Sequence, residues 1–251
     1  MKIIDFHTHL DSHWFDQPLI SETEFLQGLD SLKVKKACVF TLMGFYGNCP
    51  EHNDKLLAAA RRHPERLIPF ATVDPKLGSE TVNELERCLN NPIFKGIKFH
   101  PWLQAFAPSM VRSTMEKILE LAATRKVPVI FHDGTPPYST TLQIAEVARW
   151  NPDAKIVLGH AGLSDYLPLA GQLLRDIPNL YGCFCGPKAG ELRYLVETAG
   201  AEKILFGSDF GIADWKLLAE RLDAVLESGL SEDELRLVLS QNAARLLGDG
   251  I

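Results

Sequence analysis

Residues 127–134 read VPVIFHDG: an unbroken apolar run, Val127–Phe131, that stops at two ionisable residues and a glycine. A strand with one wet face alternates apolar and polar residues. One buried on both faces, as in a parallel sheet covered by helices, does not. The run is followed by Thr141–Trp150, which has the apolar period of an amphipathic helix. The same unit recurs in both directions. Further apolar runs lie at Ile3–Phe6, Ala37–Leu42, Leu67–Val73, Gly96–Phe99, Lys155–Leu158, Leu180–Phe184 and Lys203–Phe206. Between them, helical patterns cover Glu22–Leu32, Asp54–His63, Glu80–Leu89, Val111–Arg125, Tyr166–Arg175 and Glu191–Ala199. Two more, Trp215–Glu227 and Glu232–Leu247, close the chain, the last with a Ser231/Glu234 capping box and a Gly248 stop.

Strand–helix alternation implies βαβ units and a parallel sheet. Eight such units in 251 residues match the count and size of a barrel. An open doubly wound sheet would carry a GxGxxG turn after its first strand if it bound a dinucleotide, and none is there. The fold class expected is therefore α/β, a (β/α)8 TIM barrel, as a single domain over residues 1–251. No linker, low-complexity segment or other repeat interrupts it.

Hydrophobic residues make up 46% and charged residues 23%, with a formal net charge of −6. That is the composition of a globular domain with a sizeable core, and it argues against nucleic acid or an anionic membrane as partner. Asp5, His7 and His9 break the N-terminal apolar stretch too early for a signal peptide, and no segment has the length to span a bilayer. Five irregularly spaced cysteines do not suggest a disulfide framework. A cytoplasmic protein acting on a small molecule, with a homo-oligomer as an option, is the expectation.

Ionisable residues gather where strands end, the face on which barrel enzymes build their sites. His7 and His9 close the first strand, Lys98 and His100 the fourth, His132 the fifth, His160 the sixth and Asp209 the last. Two histidines spaced by two on a strand point to one side and supply two convergent metal donors. His132 is read as a third ligand. Asp209 is read as a fourth ligand and as the acceptor of a proton from metal-bound water, the N-cap of the following helix falling to Asp214. A catalytic metal needs an open position, so His160 is placed beside the metal as a catalytic group rather than on it. Lys98 has two readings: a carbamylated bridge between two ions, or an ammonium that binds a substrate carboxylate or pairs with Asp209. The second implies one ion, because an ammonium repels a further cation. His100, before Pro101, is either a substrate contact or turn packing, and Trp102 is a candidate for binding substrate. His63 reads as a helix C-cap, and Cys183 and Cys185 as small core residues.

With these pieces in hand, the chain resembles the amidohydrolase superfamily, in particular the amidohydrolase-related branch that holds aminocarboxymuconate-semialdehyde decarboxylase and lactone and amide hydrolases. The resemblance rests on IIDFHTHL (3–10), KGIKFHPWLQAFAP (95–108), PVIFHDG (128–134), IVLGHAG (156–162), ILFGSDFG (204–211) and QNAARLLG (241–248). It implies a metal-centred barrel with His7, His9, His132 and Asp209 as ligands, His160 as the catalytic strand-six histidine, and zinc, or else manganese, as the metal. Lys98 stands where DNase-like relatives carry a glutamate. Phe210 and Gly211 stand where phosphoesterases with a similar opening motif carry a histidine.

Hydrolysis of an amide, ester or lactone by metal-activated water is the first functional expectation. Non-oxidative decarboxylation of an unsaturated or aromatic acid at the same site is the second, and a non-catalytic metal- or ligand-binding barrel the third. Trp14, Phe15, Phe45, Tyr46, Trp102, Phe106, Tyr138 and Phe210 are expected to line the active face, with Lys98, Arg112 or Lys188 anchoring a carboxylate.

Overall fold

Each of the eight apolar runs becomes a strand in a computed structural model that describes residues 2–10, 13–14, 17–18, 20–186 and 188–248. The strands are β1 (Ile4–Leu10), β2 (Lys36–Thr41), β3 (Leu67–Ala71), β4 (Gly96–Phe99), β5 (Val129–Phe131), β6 (Ile156–Leu158), β7 (Leu180–Phe184) and β8 (Ile204–Phe206). They lie side by side in chain order, and every neighbouring pair is parallel. The edges β1 and β8 meet just past the end of β8, where Asp209 N donates to His7 O (2.8 Å) and His9 N to Phe210 O (2.7 Å). The architecture is a (β/α)8 barrel.

β1 runs four residues further than the apolar pattern suggests, because its pairing with β2 resumes after a register shift between Asp5 and Thr8. His7 and His9 therefore stand within the strand. His13–Trp14 pairs with Gln17–Pro18 in a short antiparallel ribbon. Phe15 lies outside the described residues.

The helices on the outside are α1 (Glu22–Ser31), α2 (Cys49–Arg62), α3 (Ser79–Leu89), α4 (Arg112–Arg125), α5 (Thr141–Trp150), α6 (Leu163–Asp176), α7 (Ala189–Ala199) and α8 (Trp215–Leu226). Side-chain caps fix several starts: Ser21 with Glu24, Thr140 with Gln143, and Asp214, which accepts from Lys216 N. α2 starts five residues before the expected position because Pro50 is preset for a first helical turn. Its end is capped at His63, whose Nε2 lies 3.0 Å from Glu22. The single closing helix expected over Glu232–Leu247 is instead α9 (Glu232–Arg236) and α10 (Asn242–Leu247), separated by a π-helical turn, Leu237–Gln241. The extra residue in that turn shifts the helix phase. It lets Val238 and Leu239 pack on the core while buried Asn242 reaches the carbonyls of Ala201 and Ile204, both at 2.7 Å.

Two apolar layers result. One fills the space between strands and helices. The other fills the barrel itself with Ile4, Phe6, Phe40, Phe70, Ile130, Val157 and Leu205, and is closed underneath by Ala243, Leu246 and Leu247 of α10. Phe6, Phe40 and Phe70 meet edge to face in its centre. Cys183 and Cys185 are buried in the same layer, as small core residues should be. Among the described residues, no helix is long and apolar enough to cross a membrane.

Candidate active site

The open end of the barrel is built around β1. His7 Nδ1 lies 2.8 Å from Gly159 O. A carbonyl only accepts, so Nδ1 carries the proton and the Nε2 lone pair faces the centre. Gly159 permits this approach: a Cβ there would come within 2.6 Å of Phe131 O and 3.2 Å of the His7 ring. Asp209 Oδ1 lies 3.3 Å from His7 Nε2 and 3.2 Å from His9 Nε2. Asp209 itself is in the left-handed region (φ 61°), and Gly211 follows at φ 103°. A Cβ on Gly211 would lie 1.8 Å from His9 O, so the HTH and SDFG segments mesh with no room for a side chain.

Beneath this pair of segments is Asp5, fully buried. Its Oδ1 accepts from the backbone N–H of His7 and of Ser208, each at 3.1 Å, and its Oδ2 accepts from Ser208 Oγ. Burial pushes the Asp5 carboxyl up to about 7 against the pull of these hydrogen bonds. Asp133 does the same on the opposite side. It accepts from His160 N (2.7 Å), Gly162 N (2.8 Å) and Thr141 Oγ1 (3.2 Å), and burial raises it to about 6. It thereby clamps a turn whose residues Ala161, Gly162 and Leu163 all have positive φ, a conformation that costs on the order of 1 kcal/mol per non-glycine residue.

His132 faces this turn. Its Nδ1 is 2.9 Å from His160 Nε2, its Nε2 is 2.8 Å from Thr135 Oγ1, and its ring stacks on His100 with centroids 3.8 Å apart. Lys98 is fully buried, with Nζ 2.9 Å from His7 Nε2 and over the Phe40 ring. Among the described residues no ion pair joins Lys98 to Asp209. Burial lowers the Lys98 ammonium to about 8, with the Asp209 charge opposing.

Burial also lowers the imidazoles: His160 to about 4, His9 below its ordinary value, and His7, His100 and His132 well below it. Neutral rings keep the lone pairs that metal binding requires. Burial would raise Asp209, but the His9 hydrogen bond and the neighbouring imidazoles overcome it and hold the carboxylate well below its usual range. His7, His9 and Asp209 thus form one convergent donor set. Metal–ligand bonds of about 2.0–2.2 Å place neighbouring donors roughly 3.0–3.5 Å apart, and the 3.2 and 3.3 Å separations from Asp209 fit that spacing. His132 is near but outside this set, with both ring nitrogens engaged elsewhere.

A cavity of about 380 Å³ opens above the donors, in the range that takes a small organic molecule. His100, Trp102, His132, Thr135 and His160 line it together with Leu42, Leu103 and Ile212. Among the described residues, Trp102 is the aromatic residue of the expected lining that stands there, half exposed. Phe106 and Phe210 are instead core residues, packed on Phe99 and Phe25, because their loops fold back onto the strands. Phe45 is buried behind the site against His100 and His9. Arg112 pairs with Glu116 over Trp150, and Lys188 with Glu191, so neither lines the cavity.

Asp5, Asp133, Thr135 and Gly159 were not anticipated as parts of the site. Asp133 had a visible signal: an apolar strand ending in two consecutive ionisable residues sends one to each face.

The profile of the amidohydrolase family matches residues 4–248. A comparison with curated proteins finds no match. Among solved structures, 5-carboxyvanillate decarboxylase from Sphingomonas paucimobilis superimposes with a TM-score of 0.78 at 16% identity, covering 98% of each chain. The same enzyme from Novosphingobium aromaticivorans, complexed with manganese and 4-hydroxy-3-methoxy-5-nitrobenzoic acid, gives 0.72 at 16% identity over 88% of this chain and 78% of that one. 4-Oxalomesaconate hydratase from Rhodopseudomonas palustris gives 0.71 at 16% identity over 98% and 95%. At these identities the likeness is one of fold.

Proposed function

The chain belongs to the amidohydrolase family, and we propose that it is a metal-dependent enzyme that removes the carboxyl group, without oxidation, from an unsaturated or aromatic carboxylic acid. The observation that carries this reading is the cavity wall. Asp209 is the one carboxylate among the described lining residues, and its Oδ1 faces His7 and His9. Around it stand three further imidazoles and the apolar Leu42, Trp102, Leu103 and Ile212. Such a wall repels an organic anion little and offers flat apolar surface to a planar ring. Two of the fold relatives named above are decarboxylases of an aromatic acid, which supports the same choice.

A divalent ion, one per chain, would be held by His7 Nε2, His9 Nε2 and Asp209 Oδ1 and would supply Lewis-acid stabilisation of the substrate's oxygens. His132 would join as a fourth donor on releasing His160 or Thr135. Zinc suits the nitrogen-rich set, and manganese is the metal in one fold relative. The chain's own part is to place the acid and manage one proton. Loss of carbon dioxide leaves an electron pair on carbon that must be protonated, so R–CO₂⁻ and H⁺ give R–H and CO₂. The His132 Nδ1–His160 Nε2 hydrogen bond links two buried neutral rings beside the cavity, a relay along which a proton drawn from solvent would pass to that carbon. Trp102 and Leu103 cover the ring, and Lys98 stands behind His7 as a fixed positive charge near a bound carboxylate.

Hydrolysis is the second reading, favoured by one feature: the Asp209 carboxylate stays ionised at the donor centre, where it suits a proton acceptor for water. One experiment separates them. Metal-loaded protein incubated in ¹⁸O-water with a panel of hydroxybenzoic and unsaturated acids is expected to release CO₂ stoichiometrically, with no ¹⁸O in the organic product. Cleavage of esters, lactones or amides with ¹⁸O uptake, and no CO₂ from any acid, would return the site to hydrolysis.

A further inference from the structure

A second, smaller cavity of about 100 Å³ lies on the other side of His160, which lines both. Its walls come from Ser164 and Leu167 of α6, Phe184 at the end of β7, Glu191 of α7 and Arg221 of α8. With about 30 Å³ per water molecule, the chamber has room for roughly three waters. One carboxylate-sized group fits, whereas a whole aromatic acid does not.

Arg221 is what makes this chamber unusual. Its Nε and Nη1 are buried and have no hydrogen-bond partner among the described residues. Glu191, the acid in the same wall, has its Oε1 taken by Ser164 Oγ (2.8 Å) and Lys188 Nζ (3.0 Å). A guanidinium stays charged at any ordinary pH, and buried, unpaired donors of this kind are rare because each is destabilising. Its planar donors match a carboxylate better than any other small anion short of phosphate.

We propose that the Arg221 chamber is a carboxylate-binding subsite. An acid whose reacting end lies over His7, His9 and Asp209 extends past His160 and sets a second carboxylate on Arg221. The preferred substrates are thus dicarboxylic acids, a refinement that rests on the decarboxylase reading. A free anion of the same shape, bicarbonate formed from released CO₂, is the other source of such a group.

Calorimetric titration of metal-loaded protein with benzoate, isophthalate, terephthalate and bicarbonate tests this, comparing wild type with R221M and R221K. At least one diacid is expected to bind wild type about tenfold or more tightly than benzoate. R221M should erase that advantage and leave benzoate affinity unchanged, and R221K should fall between. Bicarbonate binding lost in R221M, with no preference for either diacid, would assign the subsite to the free anion and overturn the dicarboxylate substrate. Equal affinities throughout, with no bicarbonate binding that depends on Arg221, would overturn the subsite. Methionine keeps the stem's packing and removes a buried charge, so R221M should melt at or above the wild-type temperature. A fall of several degrees would show that Arg221 is structural. If no acid loses CO₂ but R221M still erases the diacid preference, the subsite stands and the reaction assignment falls.

Discussion

Replacing Asp5 separates a scaffold role from a role in chemistry. In D5A two buried backbone N–H groups, those of His7 and Ser208, lose the oxygen they share, and Ser208 Oγ loses its acceptor. Each unsatisfied buried donor costs about 1–3 kcal/mol. Two of them with a small void come to roughly 3–5 kcal/mol. D5N keeps Oδ1 for both backbone donors and lets its amide donate to Ser208 Oγ, so only the serine proton is displaced, at about 1 kcal/mol. For a chain of this size, 1 kcal/mol shifts the melting temperature by about 2–4 °C. D5A should therefore melt roughly 10 °C lower and D5N only a few degrees lower. Differential scanning calorimetry gives the first reading, and urea titration checks it where heating is irreversible. D5N should also keep its metal, whereas D5A should lose affinity for it as His7 and Asp209 drift apart. Equal shifts for the two variants, or a D5A shift under about 2 °C, would refute the view that Asp5 holds the seam.

Three further expectations concern the site and its supports. Elemental analysis should find close to one divalent ion per chain, falling to a small fraction in H7A and H9A, while D209N folds normally and loses turnover; full metal in both alanine variants would remove them as ligands. G211A places a Cβ 1.8 Å from His9 O at φ 103°, so urea unfolding should show a loss of about 3 kcal/mol or more, with metal binding weakened. Burial raises the Glu84 carboxyl, but hydrogen bonds from Arg87, Asn53 and Cys88 outweigh it and leave the group below its usual 4.5. A depressed carboxyl stabilises the fold above its unfolded pKa and ceases to as pH falls through the folded one. Wild type should accordingly lose stability relative to E84Q as urea titrations move from neutrality to below about 4, and parallel pH profiles would contradict that.

The barrel was legible because its strands are buried on both faces and show as unalternating runs, with caps such as Ser231/Glu234 and Asp214 marking helix starts. Departures arise where tertiary contacts decide. β1 extends to Leu10 because β2 is there to pair with it, and the π turn at Leu237–Gln241 exists so that Asn242 can reach two carbonyls of another segment. In the site, spacing pointed to His7, His9 and Asp209, since a strand fixes which side a residue faces. Spacing does not fix how a ring turns, so the contacts of His132 with His160 and Thr135 were beyond reach. The bonds of Asp5 to Ser208, Asp133 to His160 and Gly159 to His7 each join residues 27 or more apart in the chain, and no local pattern records those pairings.

The seam between the first and last strands also sets a timetable. His9 and Asp209 are 200 residues apart in the chain, and closing a loop that long costs about 5 kcal/mol in chain entropy. The donor set therefore cannot exist during synthesis until Asp209 has emerged, and a shorter nascent or truncated chain holds only its two histidines. An ion captured there would reward the completed barrel alone, making metal uptake a late checkpoint on assembly as well as the start of chemistry.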